Sequence, residues 1–157
     1  MAAADAKDFL PTLKDGSVDL FLIDPPYFKI IDEDWDNQWG SSEEYASCLV
    51  GLCTLARQKV KPSGSLIMFQ AIGHQQQHPI FQVVSGVERE GWCFRNWITW
   101  KRSRAFGKKK DYLYCRDEIL WFSASFEKSL VTLRWPRATR RSETRPRWDL
   151  DSRCSAS

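Results

Sequence analysis

The chain has 157 residues, 43% hydrophobic and 13% aromatic, enough for one domain with a real core and too few to expect two. Its net charge of +3 is uneven: residues 132–157 hold seven arginines (Arg134, Arg137, Arg140, Arg141, Arg145, Arg147, Arg153) against Glu143, Asp149 and Asp151, so this tail is +4 and the other 131 residues sum to −1. No apolar run nears the roughly 20 residues that span a bilayer, which argues against a membrane partner. Five cysteines with no Cys-x-x-Cys pair, and no secretory leader, predict reduced thiols in a soluble cytoplasmic protein.

In chain order, the nearly continuous apolar run from Val18 to Ile23 predicts a strand in a sheet covered on both faces. An acidic, tryptophan-bearing loop follows from Asp32 to Gly40. Over about 43–60, Tyr45, Cys48, Leu49, Leu52, Cys53, Ala56 and Val60 share one helical face, and Ser41 with Glu44 forms a capping box at its start. Pro62-Ser63-Gly64 ends that helix, and Ser65 to Phe69 reads as a second strand. A second helix over about 78–90 stops at Gly91. Phe94 to Trp100 is a third strand, its alternation interrupted at Trp97 and Ile98, and Glu118 to Phe122 a fourth. This order predicts an α/β fold with a mostly parallel sheet and flanking helices.

Residues 132–157 stand apart from this catalogue. They hold seven of thirteen arginines and none of the ten lysines, no glycine follows Gly107, and no apolar periodicity is present. A disordered tail is the expectation. It reads either as a nucleic-acid-binding arm or as the product of a reading frame lost near Arg134 to Pro136. The chain thus divides into a body, 1–131, and a tail, 132–157.

The chemically pointed segment is Asp24-Pro25-Pro26-Tyr27, directly after the first strand. Open α/β sheets bind ligands at the carboxyl ends of their strands. A carboxylate there accepts a hydrogen bond from an exocyclic amino group and turns its nitrogen lone pair toward an electrophile. The two prolines remove backbone donors and leave carbonyls free to accept the second amino hydrogen. Tyr27 offers a face on which an extruded base can stack. Taken as a dipeptide, Asp-Pro would be an ordinary strand-ending turn; four such residues behind a buried strand point to a site.

This segment resembles the catalytic motif of the amino-methyltransferases, which methylate the exocyclic nitrogen of adenine or cytosine in DNA from S-adenosyl-L-methionine. Ser17-Val18-Asp19-Leu20, Asp34-Trp35-Asp36, Val60-Lys61-Pro62-Ser63-Gly64-Ser65, Ile98-Thr99-Trp100-Lys101 and Arg116-Asp117-Glu118-Ile119-Leu120 extend the likeness over roughly residues 5–125. The resemblance implies part of a Rossmann-like methyltransferase sheet and a double-stranded DNA substrate. It also implies roles: Asp24 polarises the amino group, Pro25 offers its carbonyl and Tyr27 holds the base, with Pro26 the remaining residue of the catalytic motif. An initial Asp favours adenine N6, with cytosine N4 as the other target. Asp5 and Asp24 are the implied cofactor contacts. The usual His-Glu pair reads Asp117-Glu118 here, which keeps the acid and loses a ring.

Only 23 residues precede Asp24, so the permuted order of that family, catalytic half first, is the one that fits. The cofactor half should follow residue 130, yet no Gly-x-Gly pair occurs there. That half is expected from a missing C-terminal segment or a dimer partner. Six cations between Lys101 and Lys110 (Lys101, Arg102, Arg104, Lys108, Lys109, Lys110), with Tyr112 and Tyr114 behind them, suit phosphate contact and stacking. Trp35 is a candidate wall of the base pocket, and Trp39 a loop anchor. His74 and His78 have the spacing of two metal ligands on a helix, but Gln75-Gln76-Gln77 supplies no acid and Pro79 opposes an unbroken helix, so no metal is expected. A non-catalytic nucleic-acid-binding fragment is the alternative reading of the whole chain.

Overall fold

The structure, a computed structural model, describes residues 5–29, 38–72, 78–106 and 114–127, with side chains left aside at 103–106 and 114–115. The elements run α1 (Ala6–Phe9), a 3-10 turn (Leu10–Thr12), β1 (Val18–Ile23), α2 (Ser42–Lys59), β2 (Val60–Gln70), α3 (Pro79–Arg89), β3 (Cys93–Phe106) and β4 (Tyr114–Ser123). The strands form one sheet in the order β1-β2-β4-β3.

Local chemistry accounts for the helix ends. Ser41 accepts a hydrogen bond from the Glu44 N–H at 3.1 Å, satisfying one of the orphan donors of α2. Glu44 closes the box one residue early, accepting from the Gly40 N–H at 2.9 Å rather than from Ser41. Pro79 opens α3 at a position where a missing N–H costs nothing. Gly91 has φ +85°, the left-handed turn that ends the helix. Between α2 and β2 no loop intervenes, because the chain turns extended at Val60. Gly64 is required nearby: a Cβ there would lie 2.5 Å from Val60 Cγ2 and 2.9 Å from the Asp19 carbonyl oxygen.

Two expectations about the sheet need correcting. By direction three strands agree and only β4 is reversed, but by pairing the sheet is mixed: β1–β2 is parallel, while β2–β4 and β3–β4 are antiparallel. The cause is β4, which inserts between β2 and β3. Nor is β1 covered on both faces. Phe21 and Ile23 pack against the core, whereas Leu20 and Leu22 are 47% and 65% exposed. Among the described residues no element packs on that second face.

The covered face carries the core. Leu66 and Met68 of β2 and Leu120 and Phe122 of β4 meet Leu49, Cys53 and Ala56 of α2 and Ile80, Val83 and Val87 of α3. Arg57 ties the layers together, donating to the Gly91 carbonyl at 3.0 Å and the Ala124 carbonyl at 2.9 Å. The Trp92 indole N–H donates to the Cys53 carbonyl at 2.9 Å, so its ring is buried without an orphan donor. Burial pushes the Cys53 thiol up to about 12. Among the described residues no helix is long and apolar enough to cross a membrane.

Candidate active site

Residues 24–27 leave the carboxyl end of β1 at the edge of this core. Asp24 is exposed, Pro25 is buried, and Pro26 and Tyr27 are half-buried. The Tyr27 hydroxyl donates to Asp24 Oδ1 at 3.0 Å, which fixes the carboxylate and occupies one of its oxygens. Burial first, then the hydrogen bond and charge of Asp24, pushes the Tyr27 phenol well above its ordinary value. The phenol therefore stays protonated and keeps donating.

Beneath the segment lies Tyr45 of α2, 1% exposed. Its hydroxyl donates to the Pro26 carbonyl at 3.0 Å and lies 3.4 Å from Gln70 Oε1. Phe28 packs tilted on its ring at 5.6 Å, and Trp39 meets it edge-on at 4.9 Å. Lys29, at φ +50°, then turns the chain through the left-handed region, its ammonium 3.3 Å from the Gly40 carbonyl oxygen. No described residue donates to the Pro25 carbonyl.

A polar cluster continues the site across the strand ends. Gln70 pairs in register with Glu118, which pairs in turn with Thr99. The Trp97 indole donates to Glu118 Oε2 at 2.6 Å and the Thr99 hydroxyl at 3.2 Å. Arg116 Nε stands 2.8 Å from Glu118 Oε1 but off the axis of its N–H, so it supplies charge rather than a directed hydrogen bond. Next to it Arg102 forks onto Asp117, with Nε 2.5 Å from Oδ2. Both charges of this pair act on the Tyr27 phenol.

The residues singled out in the sequence are thus only partly assembled. Asp24, Pro25, Pro26 and Tyr27 form one turn, and Arg102, exposed but paired with Asp117, lies within electrostatic reach of Tyr27. Lys101 is exposed on β3. Asp5 caps α1, accepting from the Lys7 N–H at 2.8 Å. Trp35, Lys108, Lys109, Lys110 and the tail lie outside the described residues, as does the Arg104 side chain. Of the two histidines, His78 precedes α3 and is exposed, and His74 is outside the described residues. Tyr45, Gln70 and Trp97 were not singled out as site residues from the sequence, whereas Glu118 was noted as the acid of the Asp117-Glu118 pair. A polar residue closing an apolar strand, as Gln70 closes Leu66-Ile67-Met68-Phe69, was the available signal.

A cavity of about 450 Å³ beside α2 is lined by Lys7, Trp39, Glu44, Ser47, Cys48 and Gly51. It includes none of residues 24–27, so this cavity is separate from the turn that follows β1.

The model of the N6/N4 DNA methylase family matches residues 18–150. The chain belongs to that family. It is 29% identical over 119 residues to the type II methyltransferase M1.MboII of Moraxella bovis, covering 75% of this chain and 43% of that protein. It is 27% identical over 142 residues to M2.LlaDCHI of Lactococcus lactis subsp. cremoris, covering 80% of this chain and 51% of that one. The chain therefore spans about half the length of these curated relatives. In fold it is similar to the cytosine-N4-specific PvuII DNA methyltransferase (TM-score 0.66, 17% identity, 80% of this chain and 49% of that chain). It is likewise similar to the M1.HpyAVI–SAM complex (TM-score 0.55, 17% identity, 81% and 55%).

Proposed function

We propose that this chain is the catalytic half of a DNA amino-methyltransferase, transferring a methyl group to the exocyclic amine of a base in double-stranded DNA. The observation that carries the reading is the turn Asp24-Pro25-Pro26-Tyr27, set at the carboxyl end of β1 with an exposed carboxylate held by a phenol. A base drawn from the duplex would stack on Tyr27. Asp24 and the Pro25 carbonyl would each accept one amino hydrogen, concentrating electron density on the nitrogen that attacks. Adenine N6 is the favoured target, from the initial Asp of the motif, and cytosine N4 the other. Trp35 and the cations Lys101, Arg102, Arg104, Lys108, Lys109 and Lys110 belong to the DNA side.

The methyl donor in this reading is S-adenosyl-L-methionine, which supplies an electrophilic methyl group when bound. The residues present fit only its reacting end. The sequence contains eight glycines and no Gly-x-Gly pair to cradle the rest, and the carboxylate of Asp5, the other implied contact, is engaged in capping α1. The remainder of the donor site falls to protein outside this chain, a C-terminal half or a dimer partner in the permuted arrangement. The same lack of a glycine turn favours a second reading, a nucleic-acid-binding fragment without catalysis.

One experiment separates them. Purified chain, unmodified DNA and donor carrying a labelled methyl group are incubated, and label in DNA is counted. Transfer that falls by about 10²–10³-fold in Asp24→Ala supports the enzyme. DNA retention with neither label transfer nor donor binding by calorimetry makes this chain, taken alone, a nucleic-acid-binding fragment.

A further inference from the structure

Tyr45 sits where an apolar side chain would pack equally well, yet it brings a hydroxyl under the reactive turn. Its phenol has one proton and two acceptors within reach, the Pro26 carbonyl at 3.0 Å and the Gln70 side chain at 3.4 Å. One proton serves one acceptor. Gln70 is itself 1% exposed, and its Nε2 is buried without a hydrogen-bond partner among the described residues. A half-turn of the carboxamide about its last bond resolves both conflicts. The amide N–H then donates to the Tyr45 oxygen, and the Tyr45 proton goes wholly to Pro26. The buried atom left over is an amide oxygen, a cheaper omission than an orphan N–H. The result is a directed relay in which each bond polarises the next, from Gln70 through Tyr45 to the carbonyl of Pro26.

We propose that Tyr45 and Gln70 are positioning residues for the turn. They hold the carbonyl of Pro26, and thereby fix the backbone that carries the adjacent carbonyl of Pro25, to which no described residue donates, for the amino group of the base. This rests on the methyl-transfer reading above. Register supports the placement: β1 and β2 pair at Ile23 and Met68, so Gln70 stands two residues further along, level with the prolines. The relay also crosses layers, from β2 to α2 to the turn, and links the catalytic segment to the buried core.

The test uses the whole chain carrying ¹³C-carbonyl proline. Tyr45→Phe keeps the ring against Phe28 and Trp39 and deletes only the hydroxyl; Gln70→Leu removes the first donor and leaves Tyr45 in place. The expected result is a shifted Pro26 carbonyl signal in both variants, larger in Tyr45→Phe. With it comes a fall in kcat of roughly tenfold to hundredfold at a KM for DNA changed less than about twofold. A lower melting temperature with the Pro26 signal and kcat unmoved would reduce Tyr45 to a packing residue and overturn the proposal. So would a loss of kcat with the wild-type carbonyl signal. Should Tyr45→Phe fail to fold, Gln70→Leu decides on the same two readouts. Should the wild-type chain transfer no methyl group, the functional reading fails, while the carbonyl signals still decide whether Tyr45 and Gln70 hold the turn.

Discussion

The two faces of the sheet have nearly the same composition and opposite surroundings. On one, Leu66, Met68, Leu120 and Phe122 are 0% exposed beneath α2 and α3. On the other, Leu20, Leu22 and Trp100 are 47%, 65% and 62% exposed. Ile67 and Trp121, in register with Leu22 and with each other, are only half-buried there. Sheets wound on both sides carry near-continuous apolar strands, so the open face has the composition of a buried one. The turn at residues 24–27 hangs from the covered side through Phe28 and Tyr45. Rigidity at the site therefore comes from one layer of packing, and the second face adds little to it among the described residues.

Paired truncations test that contrast most strongly. Leu120→Ala opens a void under the helices and should cost about 2–5 kcal/mol, against about 0.5 kcal/mol or less for Leu22→Ala on the open face. Urea midpoints for the two variants measure the difference. Equal losses would mean that the second face is packed in solution. The next effect tests the helix layer itself. A Cβ on Gly86 would press into the Val50 side chain across the α2–α3 contact. Val50 is β-branched and cannot swing aside as a long chain would, so Gly86→Ala should cost about 1–3 kcal/mol by overpacking. No loss in the urea midpoint would show that the two helices slide apart freely.

Much of this layering was legible from the sequence, and the exceptions have physical causes. Apolar runs named all four strands, and Ser41 marked the cap of α2, which begins at Ser42, one residue before the expected start near 43, because both signals are local. The place of β4 between β2 and β3 was not legible, since a pairing between residues some fifty positions apart leaves no mark on the local pattern. The exposure of Leu22 was hidden for a related reason: an apolar residue reports a preference for burial and does not say what buries it. At the site, Asp24-Pro25-Pro26-Tyr27 announced itself by a rare combination of residue types. Tyr45 did not, because a tyrosine in an apolar stripe reads as core until its hydroxyl is seen to have a partner.

A smaller effect probes how the covered layer begins. Ser41→Ala removes the cap of α2 and should cost about 1 kcal/mol in the urea midpoint. The Glu44 contact to Gly40 would remain, so the helix should shift its start rather than melt. A loss as large as that of Leu120→Ala would make α2, and not the helix–sheet contact, the weak point of the covered side.

The smallest effect belongs to the turn itself, where covered and open sides meet. The Tyr27 phenol is held protonated in the folded chain above its ordinary value near 10, chiefly by burial and by donation to Asp24. Below that value folded and unfolded chains both keep the proton, and its contribution to stability is fully present. As pH rises past about 10 the unfolded chain releases the proton first, so it binds fewer protons than the folded one and stability declines. Because Tyr27 is only half-buried, water screens the effect and keeps it small. Melting curves at pH 8 and at about pH 10.5 measure it, with Tyr27→Phe as the reference for every other group that titrates there. The wild-type chain should lose more stability over that interval than Tyr27→Phe. Identical losses would mean that the phenol moves freely in solution, and that Asp24 presents its carboxylate without the partner that now orients it.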